Sequence, residues 1–502
     1  MSDEAAPVMA SSIPPSLLRS GALSLVTSAA PLLVALVALP LLTRQLGSER
    51  LGLLALAWAW LGYATLLDFG LGRALTRLVA SAETSRTTPT QLAELIVTAH
   101  WLLTVVGGVV GVAGAMIAPW YVRDVLQVSD ALRHDATLSA VIFALTVPAV
   151  TGASIPRSVL EAHQQFRAVN LIRLPVSVGT FAVPLLLLSF TTSLSVIAAT
   201  MAVLRMSAWW QYARRARNVL PQSDAAKPGT RHLHPLLRAG AWMMLSNVLS
   251  PLLTVADRFL IGSAVSVSAV ALYAVPWEAV TKLWIIPGAV TMVLFPAVSR
   301  AAKGGALALA PLHSAGSRLV ALLVFPACAL VALFAPWLLQ LAGGAEYMGS
   351  SVTVLRLLCI GVAANCIGVI PFALLQASGR ARWTAMLHLM ELVPYLALLW
   401  FAVHRWGIIG AAAVWTLRTL ADTALLAWRA QPVAPLSAVS HWSNALGVAA
   451  VAACGWIGTV SSAGARAPLA TAALLSLLLP FLFWSQRTEA ERLVLGTVGR
   501  RA

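Results

Sequence analysis

Apolar runs of about twenty residues recur fourteen times along the 502-residue chain, and each is long enough to cross a hydrocarbon layer ~30 Å thick as a helix. Inside lipid every backbone N–H and C=O needs a partner within the protein, and a helix supplies one for each run without help from its neighbours. The runs lie near 17–43, 50–69, 92–118, 136–156, 169–190, 194–213, 236–262, 266–298, 313–339, 350–377, 383–403, 407–429, 441–461 and 467–485. Such a chain is an all-α polytopic membrane protein. Its charged content of 10% agrees, since soluble domains carry about 25%. The longest stretches between spans, 119–135 and 214–235, are too short to bury a core of their own.

The net charge of +16 is almost all arginine, the lysines being Lys227, Lys282 and Lys303. Cytoplasmic loops of membrane proteins concentrate Lys and Arg, so the location of the excess matters before it is read as affinity for nucleic acid. With the N-terminus inside, 25 of the 34 basic residues fall on the cytoplasmic side and 7 outside (Arg44, Arg50, Arg123, Arg133, Arg356, Arg405 and Arg466), while Arg258 and Lys282 lie within the membrane. This bias predicts an N-in, C-in, even-numbered topology whose basic loops face anionic membrane lipids and call for no nucleic-acid partner. Residues 69–80, with Arg73 and Arg77 opposite Leu71, Leu75 and Leu78, fit a short interfacial helix. The first apolar run is too long for a cleavable signal. Cys328, Cys359, Cys366 and Cys454 all sit in apolar runs, which argues against a disulfide framework or a metal site.

An internal repeat divides the chain. Leu17-Leu18-Arg19-Ser20-Gly21-Ala22 recurs as Leu236-Leu237-Arg238-Ala239-Gly240-Ala241, and at the same offset of 219 residues Trp58 aligns with Trp277. The offset covers six helices, so both copies begin on the same side of the membrane, which implies two six-helix lobes related by an axis along the membrane normal. The expected organisation is a cytoplasmic segment 1–16, an N-lobe 17–213, an inter-lobe loop 214–235, a C-lobe 236–430, two added spans within 431–485 and a cytoplasmic tail 486–502.

The second copy opens with the most charged spans. Asp257, Arg258, Glu278 and Lys282 lie in or near the interiors of 236–262 and 266–298, and ionisable groups at such depth usually face a bundle interior or a water-filled cavity. Ser246, Ser250, Thr254 and Arg258 follow one another four residues apart, forming one polar stripe that ends in a cation. Glu278 and Lys282 repeat the spacing, as do Arg418 and Asp422, and Glu391 adds a further acid. No G-x-x-x-x-G-K-[ST] motif occurs, which disfavours an ATP-driven pump.

Several segments resemble Wzx-type polysaccharide flippases. They are Leu42-Thr43-Arg44-Gln45-Leu46-Gly47-Ser48-Glu49-Arg50-Leu51-Gly52-Leu53, Leu66-Leu67-Asp68-Phe69-Gly70-Leu71-Gly72, Leu160-Glu161-Ala162-His163-Gln164-Gln165-Phe166, Asp257-Arg258-Phe259-Leu260-Ile261-Gly262 and Ala271-Leu272-Tyr273-Ala274. Ala162 stands where many relatives have glycine. The resemblance covers about the first 430 residues and places the chain in the superfamily that also holds multidrug and toxic compound extrusion antiporters and the lipid II flippase. It implies a bacterial inner-membrane flippase, not an enzyme, that moves an undecaprenyl-pyrophosphate-linked oligosaccharide to the outer leaflet for surface polysaccharide synthesis. It implies an H+ or Na+ gradient as the drive, no organic cofactor, and polymerase or chain-length proteins as possible neighbours.

On that reading Arg258 is the first choice for the pyrophosphate, because a guanidinium is always charged and can hold phosphate oxygens bidentately. Lys282 is second, and Ser250, Thr254 and Trp277 are candidates for the glycan. Asp257, Glu278, Glu391 and Asp422 are candidates for the coupling ion. A structural reading stands beside each: Glu278–Lys282 and Arg418–Asp422 have the spacing of intrahelical salt bridges, and the Ser/Thr stripe could serve as helix-packing glue. His100 and His388 read as packing residues, and the prolines that interrupt the spans as kinks or hinges. Two other functions fit the composition: a drug or metabolite cation antiporter of the same superfamily, and a polytopic polyprenyl-dependent glycosyltransferase or polymerase.

Overall fold

The computed structural model describes residues 15–65, 67–68, 71–72, 75, 89–219, 229, 249, 252–301 and 305–460. The fourteenth span, the second copy of the repeat, Ser246, Ser250, Arg73, Arg77 and both chain ends beyond 15 and 460 lie outside these residues. All regular structure among the described residues is helical. Eight helical segments are long and apolar enough to cross a membrane.

Two of the eight each hold two of the expected spans. The helix α1 (Pro15–Ala64) breaks at Gly47, whose φ is +73°. Much later in the chain, Ala381–Ala430 breaks at Gly407, where φ is +58°. Only glycine takes such angles without a steric penalty. At the second break the chain folds back on itself, so a Cβ on Gly410 would lie 2.2 Å from the Ala402 carbonyl oxygen.

Between these come α2 (Pro89–Trp120), closed by a π-helical turn over Tyr121–Val125, and a broken span of three pieces: α3 (Asp130–Leu145), α4 (Val147–Gly152) and α5 (Ser154–Ala162). Pro148 lacks the N–H that would continue α3, so the helix restarts there. Next are α6 (Phe166–Leu187) and α7 (Leu194–Arg217). The Asp135 carboxylate accepts hydrogen bonds from the Ser193 hydroxyl and the Leu194 and Ser195 amides, holding the start of α7 against α3.

The second half contains α8 (residues 252–264), α9 (Val267–Thr281), a tight 3-10 turn over Lys282–Trp284 and α10 (Ile285–Ala301). Pro287 cannot donate to the carbonyl four residues back, which accounts for the tightened turn just before it. Then come α11 (Gly305–Leu333), α12 (Ala335–Gly343), α13 (Ser350–Ala377), α14 (the Ala381–Ala430 hairpin) and α15 (Ala438–Val460).

The helices of 15–217 pack mainly on one another, as do those of 252–460. A single large apolar core runs through both halves, from Leu42 and Leu54 through Val270 and Tyr273 to Leu358 and Trp415. The halves meet where α1 lies on α9 and α12. A second, smaller core around Leu103, Ile155, Leu160 and Tyr212 fills the first half near its arginine-bearing loops. Large apolar side chains such as Leu36, Met116, Val203, Met390 and Trp456 are exposed around the outside, as a surface in contact with lipid requires.

Several arginines counted with the inner loops lie within helices, and two of them, Arg205 and Arg418, lie deep in their spans. Arg205 falls midway along α7, on the buried stripe of Met201, Ala208 and Tyr212, and donates to the Met201 carbonyl. Arg418 is inside the α14 hairpin, with only 9% of its side chain exposed. The loop counts above therefore overstate the inner tally by these two cations, without reversing the bias.

Candidate functional site

One end of the molecule is closed where the halves meet. The Arg44 guanidinium donates to the Leu341 carbonyl at 2.7 Å, joining α1 to α12. Gly52 lies against α9 so closely that a Cβ there would stand 2.0 Å from the Val267 carbonyl oxygen, so only glycine permits this helix crossing. Gly262 faces Leu126 and Leu56 across the same seam. Glu49 accepts from the amide and hydroxyl of Ser129, fixing the adjoining turn. We call this the sealed end, and the opposite one, which carries Arg157, Arg167, Arg214 and Arg380, the arginine-rich end.

Toward the arginine-rich end the seam holds a cavity of about 510 Å³ in which a few polar and charged side chains interrupt an apolar lining; we call it the polar cavity. Its lining joins Gly62 of α1 to Thr254, Trp284, Asn365, His388, Arg418 and Asp422 of the second half. The two ends of the i, i+4 pair meet loosely: Arg418 Nη2 stands 4.0 Å from Asp422 Oδ2. Its guanidinium lies over the Tyr395 ring at 5.7 Å. Arg418 Nε and Nη1 are buried and have no hydrogen-bond partner among the described residues. Leaving such groups unpaired costs about 1–3 kcal/mol each, so this cation is poised for an anion.

On its other side Asp422 faces acid and imidazole. His388 Nε2 is 3.9 Å away, its ring stacked on Phe372. Glu391, one turn beyond His388 on the same helix, lies near enough to Asp422 for the two carboxyl groups to interact. Both of its carboxyl oxygens are buried with no hydrogen-bond partner among the described residues.

Arg258, Lys282, Asp257 and Glu278 lie elsewhere. Asp257 is fully buried; its Oδ2 accepts from the Tyr273 hydroxyl at 2.5 Å and its Oδ1 from the Arg258 amide at 2.7 Å. The Arg258 guanidinium sits 5.0 Å from the centre of the Trp277 ring and is 7% exposed. Trp277 is itself enclosed, stacked on Tyr273 and edge-on to Trp284 and Trp415, which leaves its ring no free face for a sugar. Glu278 and Lys282 form the intrahelical pair their spacing suggests, at 2.5 Å. The Lys282 ammonium also lies 4.9 Å from the Phe181 ring of the first half, a cation–π contact worth ~0.5–2 kcal/mol across the seam.

Three aromatic residues join the two clusters: Trp284 and Trp415, which line the cavity and pack on Trp277, and Tyr395. Tyr395 of α14 feels Asp257 and Arg258 from one side and Arg418 from the other. Its hydroxyl is buried with no hydrogen-bond partner among the described residues. Of the residues singled out in the sequence, Thr254 and Asp422 thus line the cavity and Glu391 adjoins it. Ser250 lies outside the described residues; of the remaining five, Asp257, Arg258 and Trp277 are buried and Glu278 and Lys282 half-buried, and none of them lines the cavity. Pattern reading passed over Asn365 and His388 as lining residues. His388 carried a usable signal, since it stands three residues before Glu391 on the same helix.

A family profile described as polysaccharide biosynthesis protein matches residues 17–302. The chain is 28% identical over 417 residues to a putative O-antigen transporter of Shigella flexneri, an alignment covering 82% of this chain and 97% of that one. Among solved structures it is similar to the lipid II flippase MurJ in an inward closed conformation, with a TM-score of 0.72, 10% identity, and 93% and 98% of the two chains covered. It is also similar to an inward-facing multidrug resistance MATE family transporter, with a TM-score of 0.63, 15% identity, and 85% and 98% covered. At such identities the two structural likenesses speak to the fold.

Proposed function

The chain belongs to the polysaccharide biosynthesis protein family, and from that premise we propose that it is a flippase carrying an undecaprenyl-pyrophosphate-linked oligosaccharide across the bacterial inner membrane. The arginine-rich end faces the cytoplasm, N-in and C-in, and an ion gradient drives alternating access between two six-helix lobes. The name of the Shigella flexneri relative supports the cargo class.

The observation that carries the reading is the cavity at the seam, which holds the Arg418 guanidinium in its wall and lies on the arginine-rich side of the Arg44–Leu341 contact. A lipid-linked glycan presents a diphosphate, hydroxyls and a long apolar tail. Arg418, with two unpaired donors at the cavity wall, takes the diphosphate; charge-assisted hydrogen bonds to phosphate are about twice as strong as neutral ones. Asn365, Thr254 and Trp284 face the glycan. Arg258, held over Trp277, adds positive potential from behind the wall and does not touch the cargo.

The Glu391–Asp422 pair is the coupling site, because two carboxyl groups lie together beside the cavity and three of their oxygens are buried without a hydrogen-bond partner among the described residues, which a bound H+ or Na+ would satisfy. Occupying it removes the competition of Asp422 for Arg418, freeing the guanidinium for phosphate; releasing the ion restores the loose pair and loosens the cargo. Asp257, already satisfied by Tyr273 and the Arg258 amide, is the structural anchor of this half. Polymerase or chain-length proteins would act on the product at the other face.

The test is uptake of a labelled undecaprenyl-pyrophosphate oligosaccharide into inverted membrane vesicles, with and without an imposed proton or sodium gradient. Gradient-dependent uptake that Arg418→Ala removes is the expected result. Uptake of a cationic dye in place of the glycan would favour the drug-antiporter function, and glycosidic bond formation would favour the enzyme.

A further inference from the structure

A second cavity lies on the same seam, nearer the sealed end. It measures about 340 Å³ and is walled by Leu56, Trp60, Ile117, Ala140, Phe143 and Phe259, among other apolar groups. Its polar lining residues are three: Ser139, whose hydroxyl is spent on the Ala136 carbonyl of its own helix at 2.8 Å, Tyr121, and Trp60, whose indole N–H has no hydrogen-bond partner among the described residues. A cavity with so few polar partners holds water poorly. Ile117 in its wall is 52% exposed, and its neighbour Met116 is 76% exposed, so the cavity opens sideways onto the surface that meets lipid.

The same two helices wall both cavities. On α1, Trp60 faces the apolar cavity and Gly62 the polar one; on α8, Phe259 faces the apolar cavity while Thr254 and Val255 face the polar one. On α8 the change takes about one turn, whereas on α1 it takes two residues, so Gly62 lies across the helix from the stripe of Leu53, Leu56, Ala57 and Trp60. The two cavities therefore flank α1 and are joined along α8, one apolar and the other bearing Arg418, Asp422 and Asn365, a pairing that matches a molecule with a polar head and a hydrocarbon tail.

We propose that the apolar cavity between α1, α2, α3 and α8 is the seat of the proximal polyprenyl tail of the lipid whose diphosphate enters the polar cavity. This deepens the proposed function and rests on it for the identity of the head group. The tail leaves the protein laterally past Ile117, so the head can move along the seam while the tail stays in apolar surroundings. Carriers with long prenyl tails are thereby preferred to short-tailed analogues bearing the same head.

The test uses the full-length protein in phosphatidylcholine vesicles and an undecaprenyl phosphate carrying a diazirine in its first isoprene units. After photolysis, label is expected within peptides covering residues 114–121 and 136–144. It should be displaced by unlabelled undecaprenyl phosphate and not by extra phosphatidylcholine. Ala140→Phe, which fills the cavity, should cut that labelling at least about tenfold, and Leu138→Ala, on the exposed side of the same helix, should leave it intact while reporting that α3 still folds. Label spread over other helices, label insensitive to Ala140→Phe in a folded protein, or equal displacement by phosphatidylcholine would each overturn the proposal. Binding is read here without transport. Specific labelling in a protein that moves no glycan would sink the proposed function and leave the tail site standing.

Discussion

At the level of single residues, Arg418 and Arg258 differ in what surrounds them. Both are guanidiniums buried in the second half, yet Arg258 has an aromatic face and sits among Asp257 and Glu278, whereas Arg418 keeps two donors unpaired at a cavity wall. Arg418→Ala is expected to lower vesicle uptake of the glycan by roughly a hundredfold, the effect of removing a charge-assisted phosphate contact of about 3 kcal/mol. Arg418→Lys should recover only part, because an ammonium cannot reproduce the bidentate fork. Initial rates at equal protein level in the membrane check both. Tyr273→Phe should act differently: it strips Asp257 of its hydroxyl partner and should cost about 1–3 kcal/mol of stability, seen as a lower melting temperature of the purified protein with the ion dependence of transport kept. Glu391→Gln should do the reverse, abolishing the response of uptake to an imposed gradient while melting changes little. An unaltered gradient response in Glu391→Gln would move the coupling ion elsewhere.

Among the elements, the glycines at the seam decide how near the halves can come. Gly52 against Val267 is the tightest approach, and Gly52→Leu is expected to force the sealed end apart. A membrane-impermeant maleimide applied from that side to a Leu126→Cys background, a position buried at the seam against Gly262, reports this directly, since the four native cysteines are buried. Labelling should rise several-fold with Gly52→Leu, and an unchanged rate would show that the seal lies elsewhere. The helices themselves were legible in the sequence: 350–377 coincides with α13 end for end, because an apolar run of that length in lipid has no other stable form. The pairs Glu278–Lys282 and Arg418–Asp422 were legible too, since i, i+4 spacing on a helix fixes neighbours. Contacts between helices were not. Nothing local announces that Arg44 reaches the carbonyl of Leu341, that Lys282 lies over Phe181, or that Trp277 is enclosed on every side. Pattern reading therefore chose Arg258 for the cavity, when the cation at its wall is Arg418, one helix hairpin away.

For the whole molecule, the account requires two arrangements of one seam. In the present one the sealed end is held by the Arg44–Leu341 contact and the Gly52 crossing, and the polar cavity lies toward the arginine-rich end. The opposite arrangement must part α1 from α9 and α12 and divide the apolar core that now runs through both halves, while keeping the more extensive packing within each half. Tethering the sealed end should therefore stop the cycle. Cysteines placed at Arg44 and Leu341 and joined by a cleavable bismaleimide are expected to abolish uptake, with activity returning once the tether is cut. Full uptake with the tether in place would contradict alternating access at this seam.

The central claim is that a cavity cation exposed by the parting of two halves carries a lipid-linked diphosphate down an ion-driven cycle. Its most direct measurement is time-resolved uptake of labelled undecaprenyl-pyrophosphate oligosaccharide by inverted vesicles, comparing the natural chain with Arg418→Ala under an imposed gradient and without one. The account predicts gradient-dependent uptake by the natural chain and near-background uptake by the variant. Equal uptake by both, or uptake indifferent to every gradient applied, would contradict it.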